Sequence, residues 1–205
     1  NDGKGKQFFT VNLSNFEISQ LTEGKKVKRG EIVAKKNHEV YYQISDSIFS
    51  TNIDTKKTQL VFVFPADFKA SITTLNADET LLGGAWSSDE EKQILKSNPA
   101  KHDYFNKIYE AKLPRTLFTI NLKTKTLTKL YTDNAWLNHV QFSPTDPKLL
   151  MFCHEGPWHK VDRIWTIRTD GSDLKKIHAR TMEMEIGGHE FFAPDGKYIW
   201  YDLQT

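Results

Sequence analysis

"LFTINLKTKTLTKLY", residues 117–131, reads as a strand, a turn and a strand. Apolar and polar residues alternate through "LFTIN", a polar run of Lys and Thr interrupts them, and alternation resumes toward Tyr131. Period-two alternation on both sides of a polar turn is the signature of a β-hairpin. The same layout returns in "FFTVNLSNFEISQLT" (8–22), "IFSTNIDTKKTQLVFVF" (48–64) and "IWTIRTDGSDLKKIH" (164–178). Aligning Asn12, Asn52, Asn121 and Arg168 spaces the copies by 40, 69 and 47 residues. Two of these spacings sit close to the ~40–50 residues of a four-stranded propeller blade.

Between the hairpins lies a second set of strand pairs: "GEIVAKKNHEVYYQI", "ASITTLNADETLLGGAW", "VQFSPTDPKLLMF" and "EFFAPDGKYIWYD". Their connections, "NADET", "SPTDPK" and "APDGK", read as tight turns; in the Pro-Asp-Gly type Pro presets φ and Gly or Asp tolerates the left-handed region. Each blade is thus an inner strand pair followed by an outer hairpin. The long spacing comes from residues 87–114, where the β pattern stops. There Ser88 is placed to cap a short helix with Glu91 three residues on, and Phe105, Ile108 and Tyr109 share one helical face. This insertion reads either as surface decoration or as a lid over a cleft. At ~45 residues per blade the chain holds about four and a half blades. It opens on a turn-like "NDGKGK" without Met and stops just after a strand-like run, so both ends read as cut.

Composition narrows the function classes. With 38% hydrophobic and 12% aromatic residues the chain can bury a core. Its 28 basic against 26 acidic residues, with lysines scattered, argue against a dedicated nucleic-acid binder. No apolar run is long enough to cross a bilayer, and the first residues lack the apolar stretch of a signal peptide. Cys153, the one cysteine, allows no intrachain disulfide and cannot anchor a thiolate zinc site.

Chemistry concentrates in "FCHEGPWHKVDRIW", residues 152–165, where Cys153, His154, Glu155, His159, Lys160, Asp162 and Arg163 fall between two strand-like runs. A hairpin needs only a few turn residues, so this connection is longer and more reactive than folding requires. In a propeller, long connections at one end form a funnel that carries the ligand site. A second dense spot is "EIGGHEFFAPDG", where His189 and Glu190 follow Gly187 and Gly188, and His139 in "AWLNHVQF" enters its blade at the corresponding place. Each has a plain structural alternative. A histidine at a strand start is often only hydrogen-bonded scaffold, and Arg163 could simply pair with Asp162 or stack on Trp165. His154 and His159 lack a third ligand at metal-site spacing.

The motifs "AWLNH", "FCHEGP", "VDRIW" followed by "DGS", and "HEFFAPDG", in order over some seventy residues, make the chain resemble the oligogalacturonate lyases. "VNLSNFEISQLTEG" is similar to the family's early blade, and "FNKIYEAKLPRTLFTINLKTKTLTKLY" is similar in layout but weaker in identity. These are bacterial seven-bladed β-propeller polysaccharide lyases. The resemblance implies an all-β fold of the seven-bladed propeller type, with about four to five blades in this chain. It implies one propeller domain over 1–205, incomplete at both ends. The implied activity is β-elimination on pectin-derived oligogalacturonides: a base takes the C5 proton of a uronate, a cation tempers its carboxylate, and the O4 glycosidic bond leaves a 4,5-unsaturated product. Such a reaction needs a base titrating near neutrality and a fixed positive group, roles that suit histidine and arginine.

By the family's pattern, His189 matches the proposed base and Arg163 the active-site arginine, and His139 and His154 match recurring histidines; these two, with Glu155 and Glu190, are expected in the substrate cleft. The family also binds a divalent metal, typically Mn2+, through a C-terminal stretch that does not occur here, so no metal ligand is expected in this chain. A protein ending at Thr205 is accordingly expected to have little or no lyase activity. The implied partner is an oligogalacturonide or related uronate oligosaccharide, with no nucleic acid and no membrane; oligomeric state is open, and so is the choice between bacterial cytoplasm and periplasm. The alternatives are a propeller lyase for another uronate and a non-catalytic propeller that binds carbohydrate or protein.

Overall fold

A computed structural model describes residues 5–205; residues 1–4, the start of the turn-like "NDGKGK", lie outside the described residues. The chain forms two compact units, residues 1–72 and 73–205. In the first, β1 (Phe9–Val11) and β2 (Ile18–Gln20) form a hairpin. A four-stranded antiparallel meander follows: β3 (Arg29–Ala34), β4 (Glu39–Ile44), β5 (Ser47–Asn52) and β6 (Thr58–Val63), each strand paired with the next.

The second unit repeats the meander twice. β7 (Ser71–Leu75), β8 (Leu81–Ser87), β9 (Arg115–Asn121) and β10 (Leu127–Asp133) make one sheet, with β7 starting at the end of the first unit. β11 (Trp136–Phe142), β12 (Leu149–Glu155), β13 (Ile164–Arg168) and β14 (Lys175–Lys176) make the next. β15 (Ile186–Phe192) and β16 (Ile199–Gln204) pair as a hairpin around "APDG". Strand order equals chain order in every sheet, the arrangement the sequence repeat predicts.

The repeat has a local physical cause. Asn12, Asn52 and Asn121 each end a strand and turn the side-chain oxygen onto the backbone N–H two residues ahead (Ser14, Asp54 and Lys123, 2.8–3.1 Å). Four residues on, Phe16, Lys56 and Lys125 adopt φ of 58° and donate their N–H back to the asparagine carbonyl. An asparagine that builds its own turn fixes hairpin register without help from the core. At the fourth copy Arg168 stands in place of the asparagine; Asp170 accepts from Ser172 N, and Gly171 and Asp173 both adopt positive φ.

The core of the second unit lies between its sheets, where β11 packs on β8 and β9. Leu117, Leu137, Val140, Phe142, Leu150, Phe152 and Ile167 form one buried cluster, each side chain stabilising the fold by roughly 1.5–3 kcal/mol through removal from water.

Residues 88–114 leave β8 and return to β9 at adjacent positions, since Ser87 pairs directly with Arg115. They carry α1 (Asp89–Ser97) and α2 (Lys101–Ala111). Ser88 caps α1, its hydroxyl accepting from Glu91 N, and three acidic residues in the first turn complement the helix dipole. Glu91 is buried and ion-paired with Arg115, which also donates to Leu137 O (2.7 Å) and stands 5.5 Å over the Trp136 ring. Phe105 and Tyr104 meet the same indole edge-on, at 5.3 and 6.3 Å. The insertion is therefore docked, not loose.

One feature places the site. In β3, β11 and β15 the ladder skips, between Arg29 and Ile32, Asn138 and Gln141, and Gly188 and Phe191. Each bulge contains one residue at positive φ: Gly30 (67°), His139 (49°) and His189 (52°). Glycine takes that conformation freely, whereas a histidine there is uncommon and costs on the order of 1 kcal/mol or more.

Candidate active site

The connection 156–163 joins β12 to β13. At its start Gly156 lies under Tyr109 of α2, so closely that a Cβ would stand 2.5 Å from Tyr109 Cδ2. A 3-10 turn, Trp158–Lys160, then packs toward β15. Asp162 accepts from Arg180 N (3.0 Å) and pairs with Lys176, and His154 N donates to Arg163 O as the strands rejoin.

Arg163 ends this loop with its side chain only 8% exposed. Its Nη1 donates to Glu155 Oε1 (2.7 Å), while Nε and Nη2 donate to the two oxygens of Glu190 (2.9 and 3.4 Å). Of five guanidinium N–H groups, three are thereby committed to carboxylates. Glu155 also meets His139 Nε2 (3.1 Å), Gly156 N (3.3 Å) and Trp158 Nε1 (3.2 Å). Glu190 accepts the Cys153 thiol at 2.7 Å.

Buried charges survive only when paired and hydrogen-bonded. Burial pushes the Glu155 carboxyl up, but His139 and Arg163 outweigh it and hold it down at about 2. Burial likewise opposes ionisation of Glu190, and the bonds from Arg163 and Cys153 prevail and lower its pKa. Arg163 loses solvent but gains the bond to Glu190 and the nearby negative charges, which raise its pKa. Burial pushes the Cys153 thiol far up, so it stays protonated and donates. The cluster thus holds two carboxylates against one guanidinium, with His139 at its rim.

A cavity of about 260 Å3 opens beside the cluster, lined by Trp158, Arg163, Gly188, His189, Asp202 and Gln204 among others. His189 is 81% exposed there, and its Nδ1 lies 2.9 Å from Asp202 Oδ2 on the paired strand, where Gly188 faces Asp202. The bond from His189 lowers the Asp202 pKa and keeps it ionised. A carboxylate at Nδ1 selects the tautomer protonated there and leaves the Nε2 lone pair free.

The structure therefore brings Arg163 and His189 to one cavity. Glu155 and Glu190, expected in the substrate cleft, are buried and grip Arg163, and His139 reaches the cluster through Glu155. His154 stands apart: it stacks on Trp165 (4.8 Å, 17°), approaches Asp133 to 3.9 Å, and lines a second cavity of about 260 Å3 with Tyr109, Trp136, Glu155 and Lys160. Burial lowers its pKa and favours the neutral ring. Sequence reasoning names Cys153 in the reactive connection without a role for it, and misses Asp202 and Trp158. Asp202 was within reach, because closing a hairpin on "APDG" sets "WYD" opposite "GGH". Cys153 and Trp158 carry no charge signal among so many titratable neighbours. Among the described residues, no group of three or more His, Cys, Asp or Glu side chains could hold a metal ion.

Comparison with known proteins adds a consistent set of likenesses. A family model described as oligogalacturonate lyase matches residues 2–203. Over 198 residues the chain is 27% identical to the oligogalacturonide lyase of Pectobacterium atrosepticum and 28% identical to the oligogalacturonate lyase of Dickeya dadantii, in each case 95% of this chain against 50% of the relative. An oligogalacturonate lyase solved in complex with manganese superposes with a TM-score of 0.87 at 27% identity, and the enzyme from Vibrio parahaemolyticus with 0.86 at 28%; each pairs 98% of this chain with 53% of that one. TolB from Acinetobacter baumannii, 9% identical over 95% of this chain and 42% of its own, reaches 0.63 and shows the fold alone. The fold class is all-β, of the propeller type. The chain spans about half the length of the relatives it matches.

Proposed function

Because this chain belongs to the oligogalacturonate lyase family, we propose that it carries the acid–base centre of a lyase that cleaves pectin-derived oligogalacturonides by β-elimination. The observation that supports this most is the shared cavity: His189, braced by Asp202, and Arg163, braced by Glu155 and Glu190, line one space. His189 Nε2 takes the proton from C5 of a uronate. The electron pair left at C5 becomes the C4=C5 double bond as the C4–O4 bond breaks, and the departing oxygen takes up a proton. Arg163 directs its uncommitted N–H groups at the uronate carboxylate, where charge accumulates as C5 loses its proton. Its two carboxylate partners fix the fork but together outweigh its single positive charge, so it acts as an oriented donor and not as a bare cation. Asp202 is a positioning residue, holding the imidazole in the tautomer that can accept.

Manganese is the proposed cofactor, following the solved relative. No group among the described residues fits it, its ligands are assigned outside residues 5–205, and no step here passes through it. We also read the 205 residues as part of one seven-bladed propeller domain.

The test uses the full-length protein with trigalacturonate and follows ultraviolet absorbance of the 4,5-unsaturated product. His189→Ala is expected to lose about 10²–10⁴-fold in kcat, and His189→Asn, which tolerates the positive φ, gives the same loss with an undisturbed fold. Asp202→Ala loses less, about tenfold, and Asp202→Asn recovers most of it because its amide oxygen still accepts from Nδ1–H. Unchanged turnover in both His189 variants would overturn the assignment. A guanidinium held between two buried carboxylates is also what a purely structural ion cluster looks like, and that favours a second reading: a non-catalytic, carbohydrate-binding propeller. It predicts trigalacturonate binding with no product from the wild type.

A further inference from the structure

Trp158 has no part in the proton transfer, yet it lines the cavity and is tied to the ion cluster. The side chain is 42% exposed, on a 3-10 turn between two buried strands. Its indole N–H donates to Glu155 Oε1 (3.2 Å), the same oxygen that receives Arg163 Nη1 at 2.7 Å. One carboxylate atom therefore joins the indole to the guanidinium, so that the ring leaves its place only by giving up that bond. From the insertion, Lys101 Nζ stands 5.9 Å from the indole centroid and 5.3 Å from that of Phe105, adding a cation–π hold on the same ring. A large apolar ring held half in water, in the wall that also carries Arg163 and His189, is a preorganised surface and not a piece of core.

Sugar chemistry says what such a surface suits. A galactopyranose ring of the galacto configuration carries C3–H, C4–H and C5–H on one face, and that apolar patch packs on the electron-rich face of an aromatic ring. On the reacting uronate the C5–H must stay open to His189, so its apolar face is not free. We propose that Trp158 is the stacking platform for the neighbouring, non-reacting uronate ring and thereby a specificity-determining residue that selects oligomers. The ligand class, an acidic pyranose oligomer, rests on the lyase reading above; the platform itself rests on the geometry.

The experiment compares full-length wild type, Trp158→Ala and Trp158→Phe with trigalacturonate, by steady-state kinetics and by intrinsic fluorescence. A platform predicts that Trp158→Ala raises KM about tenfold, with a much smaller change in kcat. It predicts that Trp158→Phe, which keeps a ring but cannot donate to Glu155, stays within about threefold of wild type. It also predicts that trigalacturonate quenches wild-type fluorescence and that this quench disappears in Trp158→Phe. A KM for Trp158→Ala within twofold of wild type overturns the proposal. So does a Phe variant as impaired as the Ala variant with the loss in kcat, because then only the bond to Glu155 matters. If the wild type makes no unsaturated product but the Trp158-dependent quench persists, the lyase reading fails and the platform stands.

Discussion

Arg163 and its neighbours make acid sensitivity a property of particular side chains. Glu155 titrates at about 2 and Glu190 below its ordinary value, against about 4.5 when unfolded. A depressed carboxyl contributes stability in full above its unfolded pKa and loses it as pH falls toward the folded value. His154, held neutral by burial, acts in the same sense, because below about 6.5 the unfolded chain takes up a proton that the folded chain refuses. Thermal melts are therefore expected to show stability flat between pH 7 and about 8, easing below 6.5 and dropping steeply below 4.5, with Glu155 alone accounting for something on the order of 2–3 kcal/mol by pH 2. A melting temperature that rises between pH 6 and 4 would contradict this. The sequence singles out Arg163 and His189, which line one cavity, but the clamp around Arg163 was not legible in it. Each bulge inserts a residue and breaks the parity of in and out, so Glu190 turns into the protein at a place where simple alternation cannot say which way it faces.

Elements were legible where a side chain built them locally. Asn12, Asn52 and Asn121 mark three hairpins because each bonds its own turn, and Ser88 marks a helix because its hydroxyl is that helix's first acceptor. The docking of the helices was illegible, since it depends on contacts distant in sequence: Glu91 with Arg115, Phe105 with Trp136, Tyr109 with Gly156. The last of these gives a test. Gly156→Ala sets a methyl 2.5 Å from Tyr109 Cδ2 and 3.0 Å from Val161 Cγ1, and overpacking of this kind costs typically 1–3 kcal/mol. Urea titration should register that loss, and Tyr109→Ala in the same chain should return part of it, because the two sites touch and are not additive.

For the molecule as a whole, the two units differ in what they bring. The unit 73–205 contains every residue of the Arg163–His189 site, and the unit 1–72 repeats its blade pattern with Gly30 at the bulge position that holds histidine in β11 and β15. With no metal-holding group among the described residues, a chelator is expected to leave the melting temperature of this chain unshifted; a drop of several degrees would reveal a metal site in it.

The ion pair between Glu91 and Arg115 reaches furthest in its consequences. An excursion that leaves and re-enters between directly paired strands is ordinarily the cheapest part of a fold to shorten over evolutionary drift. Here, trimming it would take from Arg115, which stands over Trp136, the carboxylate that answers its charge, and leave the guanidinium its bond to Leu137 O. Descendants of this chain can vary the helices' outward faces freely, but they can discard the pair only together.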